Sequence, residues 1–275
     1  MAYSIFAGTM ADMTYEEVEL AAKRKASVLL PVGVIEGHGP HMCLGVDTYL
    51  TYALCQKVLN NLKEKGRSTL IAPPFYWGIN RANDAFAGSF TVKRSTMSAL
   101  LLDIMACIRQ WGLGPIFLVN IHGDIHHNRA LLDAVKDAYC RHKIEAGLLL
   151  PDFLSPACKI SGSENYILVY KMQEFEAIDG YADIHAGAME TAWMLNNFPE
   201  LVDIDMIPSL PSSQTSASEL TIWAKGGMPA KRVLPKAYCG DPASYDRVKA
   251  QVFEKTLVEE ISRAIISYLD KNAVK

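Results

Sequence analysis

Two short segments of this chain concentrate the residue types that bind metals and move protons. The first reads Ile35-Glu36-Gly37-His38-Gly39-Pro40-His41 and runs on to Asp47. The second reads Asn120-Ile121-His122-Gly123-Asp124-Ile125-His126-His127-Asn128. Five of the seven histidines lie in these two stretches, each beside carboxylates and glycine. Neutral imidazole and carboxylate together suit zinc, manganese or iron. Glycine lets a chain turn sharply enough for its side chains to converge. A third segment, Asp183-Ile184-His185-Ala186-Gly187-Ala188-Met189-Glu190-Thr191, repeats the combination.

Each residue taken alone has an ordinary reading. Asp47 stands where a helical pattern begins, so an N-cap role competes with a ligand role. His41, His126, His127 and His142 read as hydrogen-bonded histidines, and Cys43 as a small apolar filler. Grouping favours chemistry, because unrelated caps and surface histidines need not all fall at strand ends.

The surrounding pattern supplies those strand ends. Ser27–Val34 is a short apolar run of strand length, and Pro115–Asn120 is another. Ser68–Ala72 reads as a strand stopped by Pro73-Pro74, and Gly147–Leu150 is again apolar. Between them, Asp47–Lys65 places Leu50, Leu54, Val58 and Leu62 on one helical face. Thr96–Trp111, Asn128–His142 and Asp246–Lys271 are helical in pattern as well. Residues 151–180 are irregular, and Pro208–Ser218 reads as a loop. The alternation predicts an α/β fold, with a mainly parallel sheet between helix layers. Sites in such sheets form beyond the carboxyl ends of the strands. No linker divides the chain, so residues 1–275 are expected to form one three-layer α/β/α domain.

Bulk properties exclude several classes. The formal net charge of −3 over 275 residues offers no basic excess for a nucleic-acid backbone. The longest apolar stretch, Ser27 to Ile35, is about half of the ~20 residues a membrane helix needs. The N-terminus shows no signal-peptide pattern. Six scattered cysteines form no Cys-x-x-Cys pair, which favours reduced thiols and a cytoplasmic location. His-Glu-x-x-His, the phosphate-binding loop, the Gly-x-Ser-x-Gly elbow and the dinucleotide fingerprint are all absent.

The motifs resemble those of the creatininase (creatinine amidohydrolase) family. Glu36-Gly37-His38-Gly39-Pro40-His41 with Gly45-Val46-Asp47-Thr48 matches its first motif. Asn120-Ile121-His122 matches its second, His185-Ala186-Gly187 with Glu190-Thr191 its third, and Gly240-Asp241-Pro242 a late one. The resemblance spans residues 28 to 243. It implies a creatininase-like fold and a site for two divalent ions. Glu36 and His122 would hold one, His38 the other, and Asp47 would bridge them. Asp124, two residues after His122, would complete the second ion's ligands by its spacing. Glu190 would act as base, orient His185, or itself approach a metal. His185 would donate a proton. The implied reaction is hydrolysis of a small, often cyclic, amide by a homo-oligomer, often a hexamer.

The departures fall on the substrate side. Asn-Ile-His-Gly-Asp-Ile-His-His-Asn replaces the usual Asn-Gly-His-Gly-Gly-Asn, Met42-Cys43 replaces Leu-Pro, and Tyr181 stands near a substrate-contacting Trp. Another ring, such as a lactone, a cyclic keto-sugar or an inositol derivative, is therefore an alternative substrate. A metal-binding protein without turnover is the alternative from another class. Trp77, Trp193 and Trp223 suit either a pocket or a core, and Asn80, Arg81 and Asp84 either a substrate contact or a surface loop.

Overall fold

A computed structural model describes residues 4–161, 163–172 and 181–273. The elements run in the order α1 (Tyr15–Lys23), β1 (Ser27–Pro31), α2 (Val46–Glu64), β2 (Thr69–Ile71), α3 (Arg94–Gln110), β3 (Ile116–Val119), α4 (Ile125–Cys140), β4 (Ala146–Pro151), α5 (Ser155–Cys158), β5 (Ile167–Tyr170), α6 (Ala188–Asn197), α7 (Ala217–Trp223), α8 (Gly227–Val233) and α9 (Arg247–Ala273).

The strands form one sheet in the order β2-β1-β3-β4-β5. Every pairing among them is parallel, with Val28 opposite Ile116 and Leu148 opposite Ile167. Strand side chains alternate between faces, and the two cores follow that period. Leu29, Phe117, Leu149 and Leu168 enter one core with α2, α6 and α9. Val28, Leu30, Ile116, Leu118 and Leu148 enter the other with α3 and α4. This is the expected α/β/α sandwich. Both faces are covered, which explains why β1, β3 and β4 read as unbroken apolar runs.

The strand order reverses at β1, which has β2 on one side and β3 on the other. Such a reversal opens a crevice beyond the carboxyl ends of the neighbouring strands. The two richest polar segments begin there, one after β1 and one after β3.

Several boundaries differ from the sequence reading for local reasons. The first strand ends at Pro31, and the residues after it keep a single parallel bridge, Val32 to Phe75. The fourth helix starts at Ile125, three residues before the expected Asn128, because Asp124 caps it. Strand β5 lies inside the stretch read as irregular. The strand is only four residues long, at the sheet edge, and so carries little periodicity. Residues 173–180 of that stretch fall outside the described residues.

Phe117 is fully buried at the centre of the sheet, with its ring edge-on to Tyr268 at 5.4 Å between centroids. Phe117→Ala is expected to lower the unfolding free energy by about 3–5 kcal/mol. Urea denaturation followed by circular dichroism measures this directly. A loss below about 1 kcal/mol would mean that the core closes over the site.

Candidate active site

The loop after β1 delivers Glu36 and His38, and the first turn of α2 delivers Asp47. The approach of α2 is close. A Cβ on Gly33 would lie 2.8 Å from the Thr48 Cα, so only glycine lets strand and helix meet here. The Thr48 hydroxyl then donates to the Val34 carbonyl at 3.0 Å, fixing the helix start. The N-cap of α2 is Gly45, without a side-chain bond. Asp47 is therefore not the cap. It is buried and turns inward.

The loop after β3 delivers His122. Asn120 accepts from the His122 amide at 3.1 Å and donates back to the His122 carbonyl at 2.9 Å, and Asn128 donates to that same carbonyl. The segment before α6 delivers His185 and Glu190. His185 and Cys239 exchange backbone hydrogen bonds, which ties the third motif to the Gly240-Asp241-Pro242 segment. The Asp183 carboxylate accepts from the Ala188 and Asp241 amides, and it lies where a Cβ on Gly187 would sit, 2.3 Å away. His41 binds the Thr191 hydroxyl at 2.9 Å and so anchors α6 beside Glu190.

These side chains converge. Asp47 is central, with its Oδ2 atom 3.4 Å from His122 Nδ1 and 3.6 Å from His38 Nε2. Glu36 Oε1 lies 3.3 Å from His122 Nδ1 and 3.9 Å from His185 Nδ1. Glu190 Oε2 lies 3.9 Å from His38 Nε2. Among the described residues, three overlapping sets offer ligand atoms close enough to share an ion: Glu36, Asp47 and His122; His38, Asp47 and Glu190; and Glu36, His38 and His185.

The orientation of the histidines fits ligation. His38 Nδ1 faces the Glu36 carbonyl at 3.1 Å, which holds the proton there and leaves the Nε2 lone pair aimed at Asp47 and Glu190. His122 Nε2 faces the Ile79 carbonyl at 3.1 Å, leaving Nδ1 for Glu36 and Asp47. Two atoms at the centre, His38 Nε2 and Asp47 Oδ2, are buried without a hydrogen-bond partner. Leaving such atoms unsatisfied costs about 1–3 kcal/mol each, and more when charged. A pair of cations satisfies both, so the donor set fits metal ions.

Titration follows from the same packing. Burial and the nearby His185 hold the His38 imidazole down to about 3, in the neutral form a ligand requires. Burial opposes the charge on Glu36, but His122 and His185 outweigh it and hold the carboxyl below its usual range. Burial likewise opposes a proton on His122, yet Glu36 and Asp47 push that imidazole well above its ordinary value. The field that favours a proton there is the field a bound cation would meet, and ligation would displace that proton. Burial raises Glu190 to about 7, opposed by His185 and aided by Asp47.

Asp124 is placed apart from this cluster. Its Oδ1 atom accepts from the His126 and His127 amides at 2.6 and 3.3 Å, capping α4. Its Oδ2 atom accepts from the Arg81 amide at 2.7 Å. Both oxygens are engaged by main chain, although the residue still lines the cavity. Asn80 and Asp84 also serve the loop, binding the Phe90 carbonyl and the Gly227 amide. His127 is buried and accepts from the Ile79 amide at 3.2 Å, while His126 is exposed at the cavity rim. Trp193 is buried, donates to Glu254 and also lines the cavity, whereas Trp77 is half-exposed and lines the separate groove. Tyr181 is not among the described residues that line the cavity.

Sequence reasoning missed Asn83. Its Nδ2 atom donates to Glu36 Oε2 at 3.0 Å and lies 2.9 Å from His185 Nε2, while its Oδ1 atom accepts from Trp223 Nε1 at 3.2 Å. The available signal was its place in the polar run Asn80–Asp84, where its neighbours drew the attention. His185 Nε2 also lies 2.8 Å from the Gly37 carbonyl. The ring thus has a partner for either tautomer: Gly37 accepts from Nε2–H, and Asn83 donates to a bare Nε2. The cluster opens into a cavity of about 380 Å3. A broader groove of about 1080 Å3, lined by Tyr15, Trp77, Leu100 and Trp111, contains none of its members.

Known proteins resemble this chain along most of its length. Residues 11–265 match the family model "Creatininase: Creatinine amidohydrolase". The creatinine amidohydrolase of Pseudomonas putida is 25% identical over 271 residues, covering 96% of this chain and 97% of the relative. A mycofactocin precursor peptide peptidase of Mycobacterium ulcerans is 28% identical over 244 residues, covering 86% and 84%. The solved structure of a creatininase mutant of zinc–zinc type superposes with a TM-score of 0.64 at 20% identity, covering 96% of this chain and 98% of that one.

The double duty of Asp124 gives a test. Asp124→Ala is expected to lower stability by about 1–2 kcal/mol, as losing a helix cap does. Asp124→Ser, which keeps a capping oxygen, should recover most of it in urea denaturation. Unchanged stability in Asp124→Ala would refute the capping role.

Proposed function

The chain belongs to the creatininase family, and from that premise we propose that it is a two-metal amidohydrolase acting on a small, ring-closed amide. The observation that carries this reading is the shared position of Asp47 between His38 and His122, with its Oδ2 atom buried and unpartnered. Glu36 and His122 would hold one divalent ion, His38 and Glu190 the other, and Asp47 both. Glu190 is preferred to Asp124 as the completing ligand because Asp124 would first have to release its main-chain partners. Zinc, manganese and iron all accept such mixed nitrogen and oxygen donors. Once bound, two such ions supply Lewis acidity towards an amide carbonyl and lower the pKa of water enough for attack at neutral pH.

The protein's own groups supply the rest. His185 keeps Nε2 against the Gly37 carbonyl and Asn83, which leaves Nδ1 to take up the proton released by an attacking water. Its Nδ1 atom faces the cluster and is the point from which a leaving nitrogen takes a proton. Asn83 donates to Glu36 and lies within hydrogen-bond distance of His185 Nε2. Trp223 packs against the His185 ring at 5.6 Å between centroids and keeps water from its outer face.

A peptide amide is the second reading, supported by the peptidase among the relatives. A lactone has the same carbonyl geometry. A polyol ring is less suited, since few free polar side chains line the cavity outside the cluster. A metal site without turnover is disfavoured because an open cavity adjoins the cluster, whereas structural sites are closed by their ligands. Self-association is also proposed. The apolar groove bearing exposed Tyr15, Trp77 and Trp111 offers it a surface, and sedimentation would show the oligomer. The six unpaired cysteines suit a reducing cytoplasm. No helix among the described residues is long and apolar enough to cross a membrane.

Asp47→Asn is expected to lose metal and activity together, and full metal content by elemental analysis would count heavily against the bridging role. His185→Gln should retain metal while kcat falls by about 10²–10⁴. A variant that turns over at the parent rate would remove His185 from the chemistry.

A further inference from the structure

The cavity is lined by two unlike kinds of side chain. One is the carboxylates and imidazoles of the cluster, with Asn83, Asn120 and His126 beside them. The other is Ile121, Ile125, Phe153, Leu154, Ile184 and Trp223. These six come from separate places in the chain: the turn after β3 and the start of α4, the segment after β4, the loop before α6, and the end of α7. Phe153 and Ile184 are 47% and 45% exposed, although residues of this type usually go to a core. The volume, about 380 Å3, is near the small end of the ~300–1,000 Å3 usual for small-molecule sites.

Charge is one-sided as well. No Lys or Arg occurs among the described residues lining the cavity. Outside the cluster the carboxylate on the lining is Asp124, whose two oxygens are both engaged. An anionic substituent seated on this wall would lose water without gaining a partner, and hydroxyl groups would be left unpaired against isoleucine and phenylalanine. An apolar group gains by leaving water.

We infer that the substrate carries an uncharged hydrophobic substituent, of branched aliphatic or single aromatic ring size, which packs on the wall formed by Ile121, Ile125, Phe153, Leu154 and Trp223. This rests on the amidohydrolase reading, and the substituent extends away from the amide held at the cluster.

Three probes share one cyclic amide and differ in substituent alone: hydantoin, 5-benzylhydantoin and hydantoin-5-acetic acid. Titration calorimetry on the zinc-loaded protein measures their affinities, and chromatography measures ring opening. The benzyl compound is expected to bind at least about tenfold more tightly than hydantoin, the gain for burying a phenyl group, and the acetic acid more weakly than hydantoin. Phe153→Ala should narrow the benzyl preference. Equal affinities, a reversed order, no measurable benzyl binding, or a preference unchanged in Phe153→Ala would overturn the inference. Ring opening separates the two claims. Tighter benzyl binding without opening would leave the wall intact and sink the cyclic-amide reaction, whereas opening without a benzyl preference would do the reverse.

Discussion

Three carboxylates and two ligand-oriented imidazoles share one buried volume, and that crowding of charge governs the architecture around it. Glu36 and Asp47 are almost completely buried, and Glu190 points at the same centre. Like charges this close need positive charge between them or a proton on one carboxyl. The protein supplies part of that by favouring a proton on His122, and a metal pair would supply it fully. Every segment that carries a member of the cluster must therefore be held against repulsion. The cross-links that do so each use a main-chain amide: Gly37 donates to the Ser89 hydroxyl, His185 and Cys239 exchange backbone bonds, and Ala186 donates to the Glu190 carboxylate at 2.5 Å.

The sheet makes this economical. Adjacent strands β1 and β3 point the same way, so the loops that follow them emerge side by side at the place where strand order reverses. Glu36 and His122 are far apart in sequence and meet because Pro31 and Val119 pair in the sheet just before them. Helix α2 folds back across β1 and adds Asp47 from its first turn. The third motif enters from the far side, on the chain leading to α6, and closes the ring. A parallel sheet with these crossovers gives the cluster a rigid base, while the cavity wall is assembled on loops and short helices.

What could be read from sequence divides along that same line. The apolar strands and the residues of the cluster were legible because both follow local rules: runs of buried side chains, and polar groups at strand ends. Two aspartates show where such rules stop. Asp47, at the start of a helical pattern, looked open to a capping role, yet it lies within the first turn and faces the cluster. Asp124, at ligand spacing, is itself the cap. Both positions obey a local rule, and only the direction of approach of the neighbouring segment separates them. Gly33 decides it for Asp47 by letting α2 come close, and the Arg81 amide decides it for Asp124. Asn83 was missed for a related reason. Its partners, Glu36, His185 and Trp223, are distant in sequence, and nothing local distinguishes it from Asn80. Strand β5 was missed because an edge strand of four residues shows too little period.

The histidine tautomers show why such a centre tolerates change around it. His38 and His122 are each oriented by a backbone carbonyl, those of Glu36 and Ile79, rather than by a carboxylate side chain. The Ile79 peptide is held in turn by His127, whose Nδ1 atom accepts from its amide. Burial holds His127 well below its ordinary value, and only the neutral ring can accept that hydrogen bond. Orientation thus passes from a buried ring, through one peptide, to the imidazole facing the carboxylates. None of these hydrogen bonds involves Phe153, Leu154 or Ile184. Trp223 differs, because its Nε1 atom donates to Asn83, which in turn binds Glu36. A substitution at Phe153 or Leu154 therefore leaves these hydrogen bonds in place, whereas one at Trp223 removes a partner of Asn83.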